Sequence, residues 1–169
     1  MVGVRLLLCC LLVTGYTSLM AQGRKATVYI FIGPECPISQ QCTLELGELY
    51  KAYGDSISFF GVVPGTLYSR DEVEEFRITY RVSFPIVRDT VYELTRQLKG
   101  AITPQAVVTY AGGDIAYSGA IDNSYIALGK KNKQITATYL RDALAAITAG
   151  RAVSLKSTKP VGCRIEGIK

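Results

Sequence analysis

The stretch from Thr27 to Gly54 constrains the fold more than any other part of the chain. Thr27 to Ile32 (Thr-Val-Tyr-Ile-Phe-Ile) is an unbroken β-branched and aromatic run, the pattern of a buried strand, and it stops at Gly33-Pro34. From Pro37 onward, Ile38, Leu44, Leu46, Leu49, Tyr50 and Tyr53 suit a helix that Gly54 caps. A buried strand that feeds a helix needs a sheet around it and helices lying on that sheet.

The remainder of the chain continues the alternation. Ile57 to Val63 is a second strand ended by Pro64-Gly65, and Ser69-Arg-Asp-Glu72 is a capping box for a helix carrying Val73, Phe76 and Tyr80. Phe84-Pro85-Ile86-Val87 is a short apolar passage, followed by a helix from about Val91 to Leu98 that Gly100 ends. Gln105 to Tyr110 and Ile115 to Ser118 are strands joined by Ala111-Gly112-Gly113-Asp114, a hairpin signal. Thr138 to Thr148 forms a last helix with Leu140, Ala143, Leu144 and Ile147 on one stripe. This order predicts an α/β fold of three layers: a mixed central sheet, parallel strands first and an antiparallel hairpin last, with helices on both faces. The strand Ile115 to Ser118 is then an exposed sheet edge open to dimerisation, with Tyr117 to Asp122 an edge strand and turn. Lys130-Lys131-Asn132-Lys133 is a solvated loop.

Ahead of this domain, Arg5 precedes the apolar run Leu6 to Val13, and small and polar residues follow up to Ser18-Leu19-Met20-Ala21. That is the pattern of a secretory signal peptide cleaved after Ala21, because the apolar run falls well short of the ~20 residues a membrane span needs. The expected organisation is a signal peptide at 1–21, a domain at 22–150 and a C-terminal tail at 151–169 that carries Cys163. Such a chain is exported, periplasmic or extracellular, with no stable membrane insertion. Cys9 and Cys10 lie inside the apolar run and leave with it, so the mature chain keeps Cys36, Cys42 and Cys163.

Composition narrows the chemistry. With no His and no Trp, and Met only at positions 1 and 20, the chain cannot build a Ser/His/Asp or Cys/His catalytic pair or a His-containing metal site. Hydrophobic residues make up 49%, enough for a packed core, and the net charge of +5 is not concentrated on one element as a nucleic-acid-binding domain would have it. No nucleic-acid partner, metal or cofactor is expected. The reactive chemistry left is that of thiols, and three cysteines in an oxidising compartment permit one disulfide plus one exchanging thiol.

Cys36 is the prime candidate. With Pro37 as the first helical residue, Cys36 sits where unpaired backbone N–H groups and the positive end of the helix dipole favour thiolate over thiol, below the reference of about 8.5. Glu35 next door opposes this, and Ser39, one turn into the helix, offers a hydroxyl as hydrogen-bond donor to the sulfur. Two other thiols are candidates to resolve a mixed disulfide. Cys42 lies six residues on, roughly 9 Å along an intact helix and beyond the ~7 Å Cα separation a disulfide tolerates, so it either packs in the core or resolves after the first turns unwind. Cys163, in a Gly- and Pro-containing tail, either swings to Cys36, pairs elsewhere or is a spare surface thiol.

The segments Phe31-Ile-Gly-Pro-Glu-Cys36-Pro37-Ile-Ser39, Phe84-Pro85-Ile-Val-Arg-Asp89, Thr103-Pro104-Gln-Ala-Val-Val108, Tyr117-Ser-Gly-Ala-Ile-Asp122 and Gly162-Cys163 together resemble the thioredoxin superfamily. More narrowly they resemble its exported redoxin branch, related to alkyl hydroperoxide reductase and thiol-specific antioxidant proteins. The resemblance covers most of residues 26–150. It departs from pattern where Glu35 replaces the usual Trp and Ser39 the second Cys of Cys-x-x-Cys, and the amino-terminal strands common in redoxins are missing. It implies a cis proline at Pro104 facing the catalytic Cys36, with Thr103, Pro104 and Pro37 contacting an extended substrate. The implied activity is thiol–disulfide oxidoreduction on protein or small-molecule disulfides, with an unidentified thiol reductant. The alternatives are a thiol peroxidase acting on peroxides, although Tyr29 and Gly33 stand where the peroxidase motif Pro-x-x-x-Thr-x-x-Cys has Pro and Thr, and a catalytically inert binding module.

Overall fold

Strand β1 (Ala26–Phe31) lies at the centre of a five-stranded sheet, and this position accounts for its uninterrupted β-branched and aromatic sequence. The computed structural model describes residues 26–168, so the leader reading of 1–21, with Cys9 and Cys10, lies outside the described residues. On one side of β1, β2 (Ile57–Pro64) and then β3 (Ile86–Asp89) run parallel to it. On the other side, β5 (Gln105–Tyr110) and β6 (Ile115–Gly119) are antiparallel, giving the order β3-β2-β1-β5-β6. The mixed sheet is the one expected, parallel half first and hairpin last.

Alternation along the strands sends side chains to two cores. Val28, Ile30, Phe59, Val63, Ala106 and Val108 meet the buried stripes of α1 (Pro37–Tyr53), α2 (Arg70–Thr79) and α4 (Tyr139–Thr148), where Leu46, Leu49, Phe76, Leu140 and Leu144 pack. Phe31, Val62 and Val107 face the opposite way, onto Leu98 and onto Leu94 of the short α3 (Glu93–Gln97). Helices therefore cover both faces. The buried stripe of α1 is Ile38, Cys42, Leu46 and Leu49, while Leu44, expected on it, points to solvent.

The local signals act as their chemistry requires. Cys36 is the N-cap of α1 with Pro37 next, and Gly54 ends the helix in right-handed conformation, at a place where a Cβ would lie only 2.6 Å from the Tyr50 carbonyl oxygen. The capping box of α2 is complete: Glu72 N–H donates to Ser69 Oγ at 3.2 Å and Ser69 N–H to the Glu72 carboxylate at 2.7 Å. The apolar passage after Phe84 becomes the edge strand β3, and α3 starts later than its apolar pattern suggests, at Glu93. Asp89, buried at the end of β3, holds α3 in place by accepting from Thr95 N–H and Oγ1–H at 2.8 and 2.6 Å.

Two expectations are corrected, one by pairing across a long sequence distance and one by a local hairpin. The edge of β6 is not open at its end, because Ser118 N–H donates to Lys156 O at 3.0 Å and Thr158 N–H to Ser118 O at 3.1 Å, so the tail lies along it. Tyr117 is fully buried, its hydroxyl donating to Ala120 O at 2.5 Å and meeting Thr158 Oγ1 at 2.6 Å. The lysine run is an exposed hairpin instead of a loop, β7 (Tyr125–Ala127) with β8 (Lys130–Lys131). The tail then continues as a strap. Its residues Cys163 and Arg164 form β9, antiparallel to β4 (Ile102–Thr103), and Ile165 packs on the second core.

Candidate functional site

Three segments converge at the amino-terminal end of α1. The first is the turn after β1, where Cys36 N–H donates to Gly33 O at 2.9 Å and the Cys36 carbonyl accepts the first helical hydrogen bond from Gln40 at 3.0 Å. Cys36 has the extended backbone of an N-cap (φ −74°, ψ 114°), and no side chain caps the helix, so its sulfur is left beside the unpaired N–H groups and the positive end of a 17-residue helix. Ser39 is buried within the first turn, and its Oγ accepts from Gly33 N–H at 3.3 Å. That leaves the hydroxyl proton free for the Cys36 sulfur.

The second segment is β4 and the bond that follows it. Thr103–Pro104 is cis, and Thr103 O lies 3.0 Å from Cys36 Sγ, close enough to accept the thiol proton while Cys36 is protonated. The third segment is the strap. Cys163 pairs with Thr103, Thr103 Oγ1 donates to Cys163 O at 3.4 Å, and Ile165 N–H donates to Ala101 O at 2.9 Å. This pairing sets Cys163 Sγ 2.9 Å from Cys36 Sγ, with the Cys163 thiol as donor. Gly162 is what permits the approach, since a Cβ there would lie 2.0 Å from Thr103 O. Gly167, at φ +80°, in turn lies against the Tyr92 hydroxyl.

These surroundings separate the thiols. Burial pushes the Cys36 thiol up, but hydrogen bonds from the Cys163 thiol and from the Ser39 backbone and hydroxyl outweigh it and hold Cys36 below the ordinary thiol range. Cys163 is pushed up to about 11 by burial, by donating to Cys36 and by the Cys36 charge. Cys42 is pushed up to about 12 by burial, then by the charges of Asp122 and Cys36. Cys36 is thus the most readily ionised thiol of the three, and Cys163 keeps its proton to higher pH.

The structure brings together Cys36, Ser39, Thr103 and Cys163. Cys42 stands apart on the unbroken helix, packed among Ile38, Leu46 and Leu49 in the core. Pro37 is exposed and borders a shallow cleft with Tyr125, Leu128 and Cys163. Pro104 is buried and borders a different cleft, shared with Cys42 and with Thr158 and Val161 of the strap. Three residues at the site carry no signal in the sequence. Tyr68 and Tyr92 line an open cleft of about 660 Å³ over Cys36, together with Glu35, Leu67 and Arg164, and Ile165 anchors the strap. With the strap seated, Cys36 is only 3% exposed.

No family model matches the chain, and no curated protein does. Among solved structures it is similar to an uncharacterized conserved protein of Geobacillus kaustophilus, with 25% identity, a TM-score of 0.76, and coverage of 87% of this chain and 79% of that one. A hypothetical protein of Sinorhizobium meliloti matches at 20% identity and a TM-score of 0.77, over 87% of this chain and 82% of that one. A secreted disulfide oxidoreductase of Mycobacterium tuberculosis, homologous to E. coli DsbE, matches at 18% identity and a TM-score of 0.51, over 76% and 84%.

Proposed function

We propose that this chain, which has the thioredoxin-like fold, is an exported thiol–disulfide oxidoreductase in which Cys36 is the nucleophile and Cys163 the resolving thiol. The observation that carries the reading is the seating of Cys163 by β9, its sulfur 2.9 Å from that of Cys36 at the start of α1. The Cys36 thiolate attacks one sulfur of a substrate disulfide, and the other sulfur leaves as a thiolate. Cys163 gives up its proton to that leaving group and attacks Cys36 Sγ. The second substrate sulfur leaves as a thiolate that takes a proton from solvent, and the protein keeps a Cys36–Cys163 disulfide, which an external thiol reductant resets by the reverse exchanges. Every bond broken is matched by one formed, and two electrons pass from protein to substrate.

Ser39 occupies the place of a nearby second cysteine, and its role here is to steady the thiolate. The resolving thiol arrives from 127 residues away in sequence. Among the described residues no helix is long and apolar enough to cross a membrane. The leader reading at 1–21 sends the domain to the periplasm or the exterior, where such exchange operates. Disulfide exchange is favoured over peroxide reduction because Gly33 stands where the peroxidase threonine would, and over an inert module because the second thiol is seated on the first. Reduction of insulin disulfides tests it. Cys36→Ser should abolish turnover, Cys163→Ser should stop after one mixed disulfide, and Cys42→Ser should leave turnover intact; activity that survives Cys36→Ser refutes the reading.

A further inference from the structure

The hairpin of β7 and β8 stands outside the central sheet, yet it is fixed to the body at its base. Tyr125 packs on the main core and donates its hydroxyl to Gln41 Oε1 of α1 at 2.5 Å. Asn132 N–H donates to Ser124 O at 2.8 Å, and Asn123 Oδ1 accepts from the N–H groups of Thr136 and Ala137 at 3.0 and 3.1 Å, which closes the segment on itself. What projects from that base is Ile126 to Lys131. Leu128 and Gly129 form the turn, with Gly129 in the left-handed conformation (φ +71°) and open space around it.

The side chains on this projection are of two kinds. Ile126 is 52% and Leu128 66% exposed, and Ile135 in the returning segment is exposed as well. Lys130, Lys131 and Lys133 are exposed beside them, and residues 123–136 hold no Asp or Glu. Of the carboxylates on neighbouring segments, Asp122 accepts from Ser124 N–H at 2.8 Å and Glu45 is bridged to Arg141 at 2.8 Å. Among the described residues no carboxylate pairs with the three lysines. Exposed aliphatics scattered singly are ordinary on a protein surface, but here two share one tight turn with unpaired cations directly behind them. An anionic bilayer surface suits both kinds at once. Aliphatic side chains at the apex enter the boundary of the acyl chains, and lysine ammoniums on flexible stems reach the phosphates above it.

We propose that the β7–β8 hairpin is a membrane-docking element: Ile126 and Leu128 enter the interface of an anionic bilayer while Lys130, Lys131 and Lys133 bind its headgroups. The domain docks on that surface without crossing it. Leu128, Gly129 and Lys131 also wall the cleft bordered by Pro37 and Cys163, so a docked domain carries its thiols at the membrane surface. Docking of this kind is independent of the reaction at Cys36.

The test uses the chain from residue 22 onward, which keeps every described element and lacks the apolar run Leu6 to Val13, itself able to enter lipid. It should co-sediment with vesicles of phosphatidylcholine and phosphatidylglycerol in equal parts, far less with phosphatidylcholine alone, and binding should fall as salt is raised. Lys130→Gln, Lys131→Gln and Lys133→Gln together should weaken partitioning by roughly a hundredfold, about fivefold per lysine. Ile126→Ser with Leu128→Ser should weaken it by at least about tenfold. All five positions are exposed, so the fold does not depend on them. Because the chain has no Trp, Leu128→Trp installs a single indole whose emission should shift to the blue on the mixed vesicles. Gly112→Trp, in the β5–β6 turn at the opposite end of the sheet and with open space around it, should show no shift. No sedimentation with the mixed vesicles, equal binding to phosphatidylcholine alone, binding that survives either set of substitutions, or the same shift from both indoles overturns the proposal. So does failure to bind lipid combined with self-association that Ile126→Ser with Leu128→Ser abolishes, which assigns the tip to a second copy of the chain.

Discussion

Joining Cys36 to Cys163 should stabilise the fold by about 5 kcal/mol, because a cross-link over 127 residues removes that much conformational free energy from the unfolded chain. The native side adds little to offset this, since β9 already seats the Cys163 sulfur 2.9 Å from that of Cys36 in the reduced protein. The magnitude also distinguishes the two candidate partners. A Cys36–Cys42 bond would close a loop of only six residues, worth about 2 kcal/mol, and would unwind the first turns of α1 to form. Calorimetry of the oxidised and reduced protein at one pH should therefore show melting temperatures separated by about 10–20 °C for a domain of this size. The gap should vanish in Cys163→Ser and persist in Cys42→Ser. A gap below about 1 kcal/mol, or one that survives Cys163→Ser and disappears in Cys42→Ser, would refute the pairing and the strap's part in it.

Three further outcomes follow from the same contacts. Ser39→Ala should move the Cys36 titration upward, read as the pH dependence of alkylation by iodoacetamide, because the hydroxyl that steadies the thiolate is gone; an unchanged profile would remove Ser39 from the site. Tyr117→Phe should cost about 1–3 kcal/mol in denaturant unfolding, since the buried hydroxyl ties Ala120 O to Thr158 Oγ1 and its loss leaves both without that partner. The reduced protein should lose stability as pH climbs from about 9 toward about 12: there the folded chain keeps the Cys42 and Cys163 protons that the unfolded chain has released, so unfolding sheds protons. Cys42→Ala should flatten that slope in unfolding titrations. The lowered Cys36 acts in the opposite sense, adding stability as pH rises toward the ordinary thiol range.

What could be read in the sequence was local. β1, α1, β5 and α4 are long or strongly periodic, and Ser69 with Glu72 satisfy each other within four residues, so each declares itself without reference to the rest of the chain. Cys36 was legible for the same reason, as a cysteine wedged between a strand and a proline-led helix. β3 was legible only as an apolar passage: it is four residues long, lies at the sheet edge and leaves Val87 exposed, so it shows no clean alternation. The strap is the clearest failure of local reading. A two-residue ladder has no periodicity, and Thr103 and Cys163 are 60 residues apart, so Cys163 could be named as a candidate but not placed. Nothing in the spacing of Tyr68, Tyr92 or Ile165 marks them, because their positions follow from where three separate segments meet.

The way the strap is attached also gives the molecule a mechanical direction. From Gly167 back to Cys163 its hydrogen bonds to the body lie in sequence, Ile165 to Ala101 and then Cys163 to Thr103, followed by the separate Thr158–Ser118 contacts on β6. Tension applied beyond Gly167 loads these bonds one at a time, like a zip, while the central β1–β2 ladder, paired over six residues, shares load among its bonds. A pull from that end would therefore peel the strap off β4 and bare the Cys36 sulfur long before the sheet yields, so that force alone could expose the thiol in an otherwise folded domain.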